Sequence, residues 1–171
     1  LRRIELQIVG AAHLPKMDVV GTVDAYCDVE FMGKKWTTGV KKNTYTPTWE
    51  ERHVFEVRDC TADPGALQIT VMDWDLMGGN DTVGQVVMSA AKMGKVVRGR
   101  CGWEEEREVV LRGEDGLNVV GQDKQEALLK VRLRVLEDED EGEVDVDEQA
   151  GGLRVLEDEA EGEADVDEQA G

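Results

Sequence analysis

Five aspartates in two clusters carry the strongest chemical signal in this sequence. Asp18 and Asp24 lie in MDVVGTVD, and Asp73, Asp75 and Asp81 lie in DWDLMGGND; each cluster follows an apolar run typical of a strand. Carboxylates concentrated at strand ends repel one another unless a cation lies between them. Ca²⁺ binds about six to eight oxygen ligands at flexible geometry. The sequence therefore predicts a calcium site built from two loops of a β protein.

The spacing within the second cluster supports this hypothesis. Asp73 and Asp75 are two residues apart at a strand end, so their side chains project to one side and Trp74 projects to the other. The flexible Gly78–Gly79 pair lets the loop fold back and return Asp81 to the same place. Aspartate is also common in turns, where it binds local backbone, and any one of these residues alone would be interpreted that way. Together they favour a shared cation.

Period-two alternation of apolar and polar residues dominates the first 136 residues. The clearest case is ALLKVRLRVL, in which Leu129, Val131, Leu133 and Val135 alternate with three cations. Eight short strands separated by turn signals predict an all-β protein, an eight-stranded antiparallel β-sandwich. A short helix is predicted within 89–99, which is rich in Ala, Lys and Met. The predicted strands are 3–8, 25–31, 34–40, 48–57, 66–75, 82–89, 107–111 and 127–136.

The net charge of −18 is mostly a property of the C-terminal end. Residues 133–171 hold 17 Asp and Glu against two Arg, and 133–151 recurs as 153–171 with 17 of 19 positions identical. A segment of such low hydrophobicity and high charge cannot bury a core. We therefore predict two regions: a β-sandwich domain at 1–136 and a disordered, low-complexity acidic tail at 137–171. The tail is either a solvated spacer or a contact for a basic protein partner.

Several classes of protein are disfavoured. Cys27, Cys60 and Cys101 are odd in number and widely spaced, which argues against a disulfide framework and favours a reducing compartment. His13 and His53 lack zinc-ligand spacing with them. No apolar run approaches the roughly 18 residues of a membrane span. Without a nucleophile–base pair or a glycine-rich phosphate loop, we predict a protein that is not an enzyme. We expect a monomer and no nucleic-acid partner.

Four segments resemble the C2 domain of synaptotagmins and protein kinase C, over about residues 3–136. They are LQIVGAAHLPKMD, GTVDAYCDV, VKKNTYTPTWEERHVFEV and VMDWDLMGGNDTVGQ. Ala25 stands where the family usually has Pro, and Thr46 where it usually has Asn. The first strand at the N-terminus and the closing strand at the C-terminal end resemble the second of the family's two topologies.

The resemblance implies the ligands of the metal. Asp18, Asp24, Asp73, Asp75 and Asp81 fall on the family's five calcium ligands. Its main-chain carbonyl ligands would fall on Met17, Trp74 and Gly79. Since Gly78 lacks the hydroxyl often found at its position, we expect two calcium ions and not three.

Apolar residues flank the aspartates, and the resemblance implies that they enter a bilayer. These are Val19, Val20, Leu76 and Met77, although packing against their own loops is the simpler alternative. Lys34, Lys35, Lys41 and Lys42 form a basic group that either faces lipid or is simply solvated. The family's phosphoinositide-binding lysines align with Thr37 and Gly39, so specific phosphoinositide binding is not expected.

The sequence thus predicts a calcium-dependent module that binds phospholipid membranes, cytoplasmic and peripheral to the membrane when calcium is bound. Calcium is the only cofactor expected. Two alternatives remain open: a C2 domain that binds proteins, and the membrane-targeting fragment of a larger signalling or trafficking protein.

Overall fold

The computed structural model describes residues 1–17 and 21–137. Three predicted site residues, Asp18, Val19 and Val20, lie outside the described residues. So does the predicted acidic tail with its repeat, from residue 138 onwards.

Within residues 1–17 and 21–137, eight antiparallel strands form two sheets of four, which confirms the predicted β-sandwich. The elements are β1 Arg2–Ala12, β2 Ala25–Phe31, β3 Lys34–Thr37, β4 Thr48–Val57, β5 Leu67–Asp73, β6 Asp81–Met88, α1 Ala90–Val97, β7 Glu104–Val110 and β8 Leu128–Val135. One sheet has the order β4-β1-β8-β7 and the other the order β3-β2-β5-β6. The closing strand β8 pairs with the first strand β1, as the second topology requires.

Alternation decides which side chains enter the core. All four apolar residues predicted to share a face of β8 are buried there. Phe31 and Phe55 come from opposite sheets and meet edge to face, with ring centroids 5.3 Å apart. Such a pair fills the space between two sheets and fixes their separation. All three cysteines are free thiols, so the core is held together by packing without a disulfide bond between them.

A two-residue turn at Met32–Gly33 joins β2 to β3. Both residues have positive φ, 55° and 72°, the combination that two-residue hairpin turns require. The predicted helix is also confirmed. The hydroxyl of Ser89 caps α1 by accepting a hydrogen bond from the Lys92 amide at 3.1 Å. No helix in residues 1–17 and 21–137 has the length and apolar content to cross a bilayer.

The predicted start of β7 was wrong by three residues. We expected a strand at 107–111, whereas β7 is Glu104–Val110. The sequence EEE shows no alternation of apolar and polar residues. Its glutamates are stabilised in the strand by ion pairs with cations of the neighbouring strand β8. Glu104 and Glu106 lie opposite Arg134 and Arg132 of β8, and Glu106 binds Arg132 at 2.6 Å. The ion pairs with Arg132 and then Lys130 hold the pKa of Glu106 below its usual range.

Connecting loops bring the two sheets together at one end of the sandwich. The loop between β3 and β4 bridges them: Lys41 pairs with Ala25 at the start of β2, and the Leu14 amide donates to the Tyr45 carbonyl at 3.2 Å. β5 ends and β6 begins at this same end. We call it the aspartate end, because Asp24, Asp73 and Asp81 lie there.

Candidate metal site at the aspartate end

Strand pairing places three of the predicted ligands side by side. Asp73 is paired with Ala25 of β2 on one side and with Asp81 of β6 on the other. The Asp24 amide donates to Asp73 Oδ1 at 2.9 Å, and the Trp74 amide donates to the Asp24 carbonyl at 2.8 Å. The backbone of each cluster is therefore hydrogen-bonded to the other. Both predicted aspartate loops reach the same end of one sheet, which the sequence alone could only suggest.

Asp75 is held within the loop between β5 and β6. Its Oδ1 accepts the Met77 amide at 3.0 Å, and its own amide donates to Asn80 Oδ1 at 2.9 Å. Asn80 in turn donates to the Tyr26 hydroxyl at 2.8 Å. A Cβ at Gly78 would lie 3.2 Å from Asp75 Oδ2, so the absent side chain leaves this oxygen accessible. The loop conformation thus fixes the Asp75 carboxylate and keeps one side of it open.

Sequence reasoning missed a third loop that positions the site. Asp24 Oδ1 accepts the amide of Asn43 at 2.7 Å, and Asn43 has a left-handed backbone with φ of 57°. This loop is anchored at both ends: Trp49 Nε1 donates to the Gly39 carbonyl at 2.8 Å, and the Pro47 carbonyl accepts from Ala11 at 2.9 Å. The segment KNTYTPTW was the only sequence signal for this loop. By itself it indicates a resemblance to a family and does not show that the loop contacts Asp24.

The donor chemistry of this end suits a hard cation. Carboxylate oxygens are the ligands that Ca²⁺ prefers. Asp73 is only 2% exposed, whereas Asp81 is exposed and Asp24 and Asp75 are half-buried. Within residues 1–17 and 21–137, no three Asp, Glu, His or Cys side chains are grouped closely enough to hold a metal ion. Asp18, the fifth predicted ligand, lies outside those residues, and the four predicted ligands within them do not form such a group among themselves.

Two of the three predicted main-chain ligands, Trp74 and Gly79, lie in the chain beside these carboxylates. The amide of Trp74 donates a hydrogen bond to the Asp24 carbonyl, and Trp74 is the residue directly before Asp75. Gly79 lies in the Asp75 loop, and Met17 is half-buried immediately before the undescribed stretch. Their role as carbonyl ligands stays a prediction.

Two apolar side chains stand out from this end. Leu76 is 75% exposed and Met77 is 91% exposed, at the tip of the β5–β6 loop. In the structure neither packs into the core, which removes the simpler alternative that these two are buried by their own loop. Exposed large apolar side chains next to one another mark interaction sites.

The four predicted lysines do not form one group. Lys34 and Lys35 begin β3, at the end of the sandwich opposite the aspartates. Lys35 lines a groove there with Asp28 and Glu30. Lys41 and Lys42 lie instead at the aspartate end, and Lys42 Nζ is 4.8 Å from the centre of the Trp74 ring. The Trp74 ring therefore packs against a cation.

Both histidines considered as zinc ligands have other partners. His13 Nδ1 contacts Asp123 Oδ2 at 2.6 Å, and this hydrogen bond, with that from the Gln125 amide, holds the pKa of Asp123 below its usual range. His53 stacks on Trp36 with ring centroids 5.3 Å apart. His13 is therefore used in pairing with a carboxylate, and His53 is used in packing against an aromatic ring.

Comparison with known sequences identifies relatives. The family model described as C2 domain matches residues 2–105. Rat Synaptotagmin-9 is 36% identical over 100 residues, covering 54% of this chain and 20% of its own length. Synaptotagmin-1 of Caenorhabditis elegans is 35% identical over 101 residues, covering 56% of this chain and 23% of its own. The chain thus spans about a fifth of the length of these curated relatives.

Solved structures show the same fold. A C2 domain of plant Extended Synaptotagmin 1 superposes with a TM-score of 0.63 at 22% identity, covering 81% of this chain and 97% of that one. The calcium-bound pair of C2 domains from Extended-Synaptotagmin 2 has a TM-score of 0.59 at 18% identity, covering 78% of this chain and 45% of that one. Human GIVD cytosolic phospholipase A2 has a TM-score of 0.61 at 17% identity, over 81% of this chain and 17% of that one. With the family model matching well over half of its residues, this chain belongs to the C2 domain family.

Proposed function

We propose that this domain binds two calcium ions at the aspartate end and thereby attaches to phospholipid membranes. The observation that carries the proposal is the backbone adjacency of three aspartates: Asp73 and Asp81 are paired across β5 and β6, and the amide of Asp24, just before β2, donates to Asp73 Oδ1. Asp75 and Asp18 complete the proposed ligand set. Membership of the family supports it, as does the calcium-bound state of the C2 domains of Extended-Synaptotagmin 2, a structural neighbour.

The proposed switch is electrostatic. Five ionised aspartates give the end a charge of about −5, which repels an anionic leaflet, and two Ca²⁺ reduce it to about −1. Lys41 and Lys42 are close enough to this end to act on the same surface. Each cation near an anionic membrane contributes about 1 kcal/mol. Lys34 and Lys35 lie at the other end of β3 and have no part in this contact.

Membrane attachment then uses the exposed loop tip. Leu76 and Met77 already face solvent, so no rearrangement is needed before they transfer from water to lipid. We assign Val19 and Val20 to the same contact from their place in the sequence. The domain is therefore proposed to be cytoplasmic and peripheral, and, because its relatives are several times longer, to target a larger protein to membranes.

Substitution of single ligands tests the proposal. Asp75→Asn and Asp24→Asn each keep the shape of the side chain but remove its charge, so calcium-dependent sedimentation with phosphatidylserine vesicles should be lost while the fold is kept. Asp63→Asn is the matched control, because Asp63 is an exposed aspartate that accepts only a local amide, from Gly65 at 2.8 Å. Unchanged wild-type sedimentation in excess chelator would refute the proposal.

A further inference from the structure

The end of the sandwich opposite the aspartates collects cations, and we call it the basic end. β1 begins there at Arg2, which is paired with Val57, so that Arg58 lies beside it. Arg2 also donates to the Gly99 carbonyl at 2.5 Å, which brings in the segment after α1. The basic end comprises Arg2, Arg58, Lys95, Arg98 and Arg100. None of these five forms an ion pair with a carboxylate within residues 1–17 and 21–137.

Four acids near this end, Asp59, Asp63, Glu104 and Glu105, have partners other than these five cations within residues 1–17 and 21–137. Asp59 is bound by the Thr61 hydroxyl at 2.6 Å, and Asp63 by a local amide. Glu104 and Glu105 are taken by other cations, among them Lys92, whose Nζ is 2.5 Å from Glu105 Oε1. The contrast with β8 is clear, because the cations of that strand all face carboxylates. As far as residues 1–17 and 21–137 are concerned, the cations of the basic end keep their charge available to a partner.

An apolar slot lies beside these cations. It has a volume of about 220 Å³ and lies between the last turn of α1 and Trp103. Trp103 is half-buried, and Lys92 Nζ is 5.8 Å from the centre of its ring. The slot is large enough for one bulky aliphatic side chain. The full lining is Lys92, Lys95, Val96, Gly99 and Trp103.

We propose that the basic end binds an acidic peptide segment that carries one bulky apolar side chain. The apolar side chain occupies the slot, and the flanking carboxylates pair with Lys95, Arg98 and Arg100. Charge complementarity selects the acidic partner, since unpaired guanidinium groups form the strongest hydrogen bonds with carboxylates. The slot favours a protein segment over a nucleic acid, which has no aliphatic side chain, and over a lipid surface, whose aliphatic chains lie beneath the charged head groups. Such an anchored contact resembles an interface hot spot.

This site is independent of the proposed calcium switch. β1 has 11 residues, and at about 3.3 Å per residue the two ends are about 36 Å apart. That distance exceeds the Debye length of about 8 Å at physiological salt several times over. Peptide binding at the basic end is therefore expected in excess chelator, where calcium-dependent membrane binding cannot occur.

The test uses fluorescence polarisation with the full 171-residue chain in excess chelator. The probe is a labelled synthetic peptide with several glutamates on either side of one leucine, and a second peptide has serine in place of leucine. We expect the serine peptide to bind about tenfold more weakly, because the slot then stays empty. The doubly substituted variant Lys95→Glu, Arg98→Glu should lose about tenfold or more for the leucine peptide. Both residues are exposed, so thermal unfolding should confirm that the variant remains folded.

The matched control is Lys16→Glu, Lys124→Glu, which changes the net charge equally at the opposite end and should leave peptide binding unchanged. Equal affinity for the leucine and serine peptides would overturn the proposal, since charge alone would then explain binding. Phosphatidylserine vesicles or double-stranded DNA that displaced the peptide, and whose binding fell equally in the Lys95, Arg98 variant, would also overturn it. An equal loss in the control variant would do the same.

Discussion

Removing the apolar loop tip should abolish most of the membrane affinity without affecting the fold. In the double substitution Leu76→Ser, Met77→Ser, both side chains are far from the core, with 75% and 91% of their surfaces exposed. Full burial of such a side chain contributes about 1.5–3 kcal/mol. Scaled by these exposed fractions, Leu76 contributes about 1–2 kcal/mol and Met77 about 1.4–2.7 kcal/mol. Because neither side chain penetrates the bilayer completely, the double variant should lose about 3 kcal/mol of binding free energy, which weakens vesicle binding roughly a hundredfold.

The assay is calcium-titrated sedimentation with vesicles that contain both neutral and anionic lipids. Val87→Ser is the matched control, because Val87 is 55% exposed on the outer face of β6, away from the loop tip. Isothermal calorimetry without lipid separates metal binding from membrane binding, and the double variant should bind calcium as the wild type does. If its vesicle affinity fell less than about threefold while calcium binding was intact, the loop tip would not enter the bilayer.

Three further predictions concern stability and reactivity. Calcium at a hundredfold excess over its Kd should stabilise the folded chain by about 2.7 kcal/mol, measured as a rise in Tm, and no shift at millimolar calcium would contradict the metal site. Burial raises the pKa of the Cys27 thiol, so a thiol reagent at pH 8 should modify it only after unfolding, unlike the half-buried Cys60 and Cys101; equal reaction of all three in the native state would be inconsistent with this. Gly84→Ala should cost about 1–3 kcal/mol in denaturant unfolding, because its Cβ would lie 2.9 Å from Val119 Cγ2; Gly79→Ala, with open space around it, is the control and should be neutral.

Most of the fold could be predicted from the sequence because most strands have one apolar face. β2 and β4 begin and end at the predicted residues, since alternation and the flanking turn signals agree there. β7 could not be predicted correctly because three of its first residues are glutamates. Their strand conformation depends on cations of β8 that lie about 25 residues further along the chain. Local propensity carries no information about such a partner.

The candidate site was predictable only in part, for a related reason. A period of two residues tells which face of a strand a side chain occupies, and an acidic cluster after a strand tells which end. These rules suffice for Asp24, Asp73 and Asp81. They fail for the lysines. Whether Lys34 and Lys42 lie at the same end of the sandwich depends on the length of β3, which has only four residues, and on the conformation of the loop that follows it. The backbone link from Asn43 to Asp24 likewise depends on a left-handed residue that no alternation pattern reveals.

Charge pairing on the outer faces explains why interactions should concentrate at the two ends. Glu106 and Glu5 bind Arg132 and Arg134, so the outer face of the β4-β1-β8-β7 sheet is internally compensated. The aspartate end keeps an excess of carboxylates, and the basic end keeps cations without carboxylate partners among the described residues. Ends about 36 Å apart do not neutralise each other at physiological salt. We therefore propose a separate external counter-charge for each end, a divalent cation at the aspartate end and an acidic segment at the basic end. If the Lys95→Glu, Arg98→Glu variant bound calcium with wild-type affinity in calorimetry, the two charges would act separately, as this distance requires.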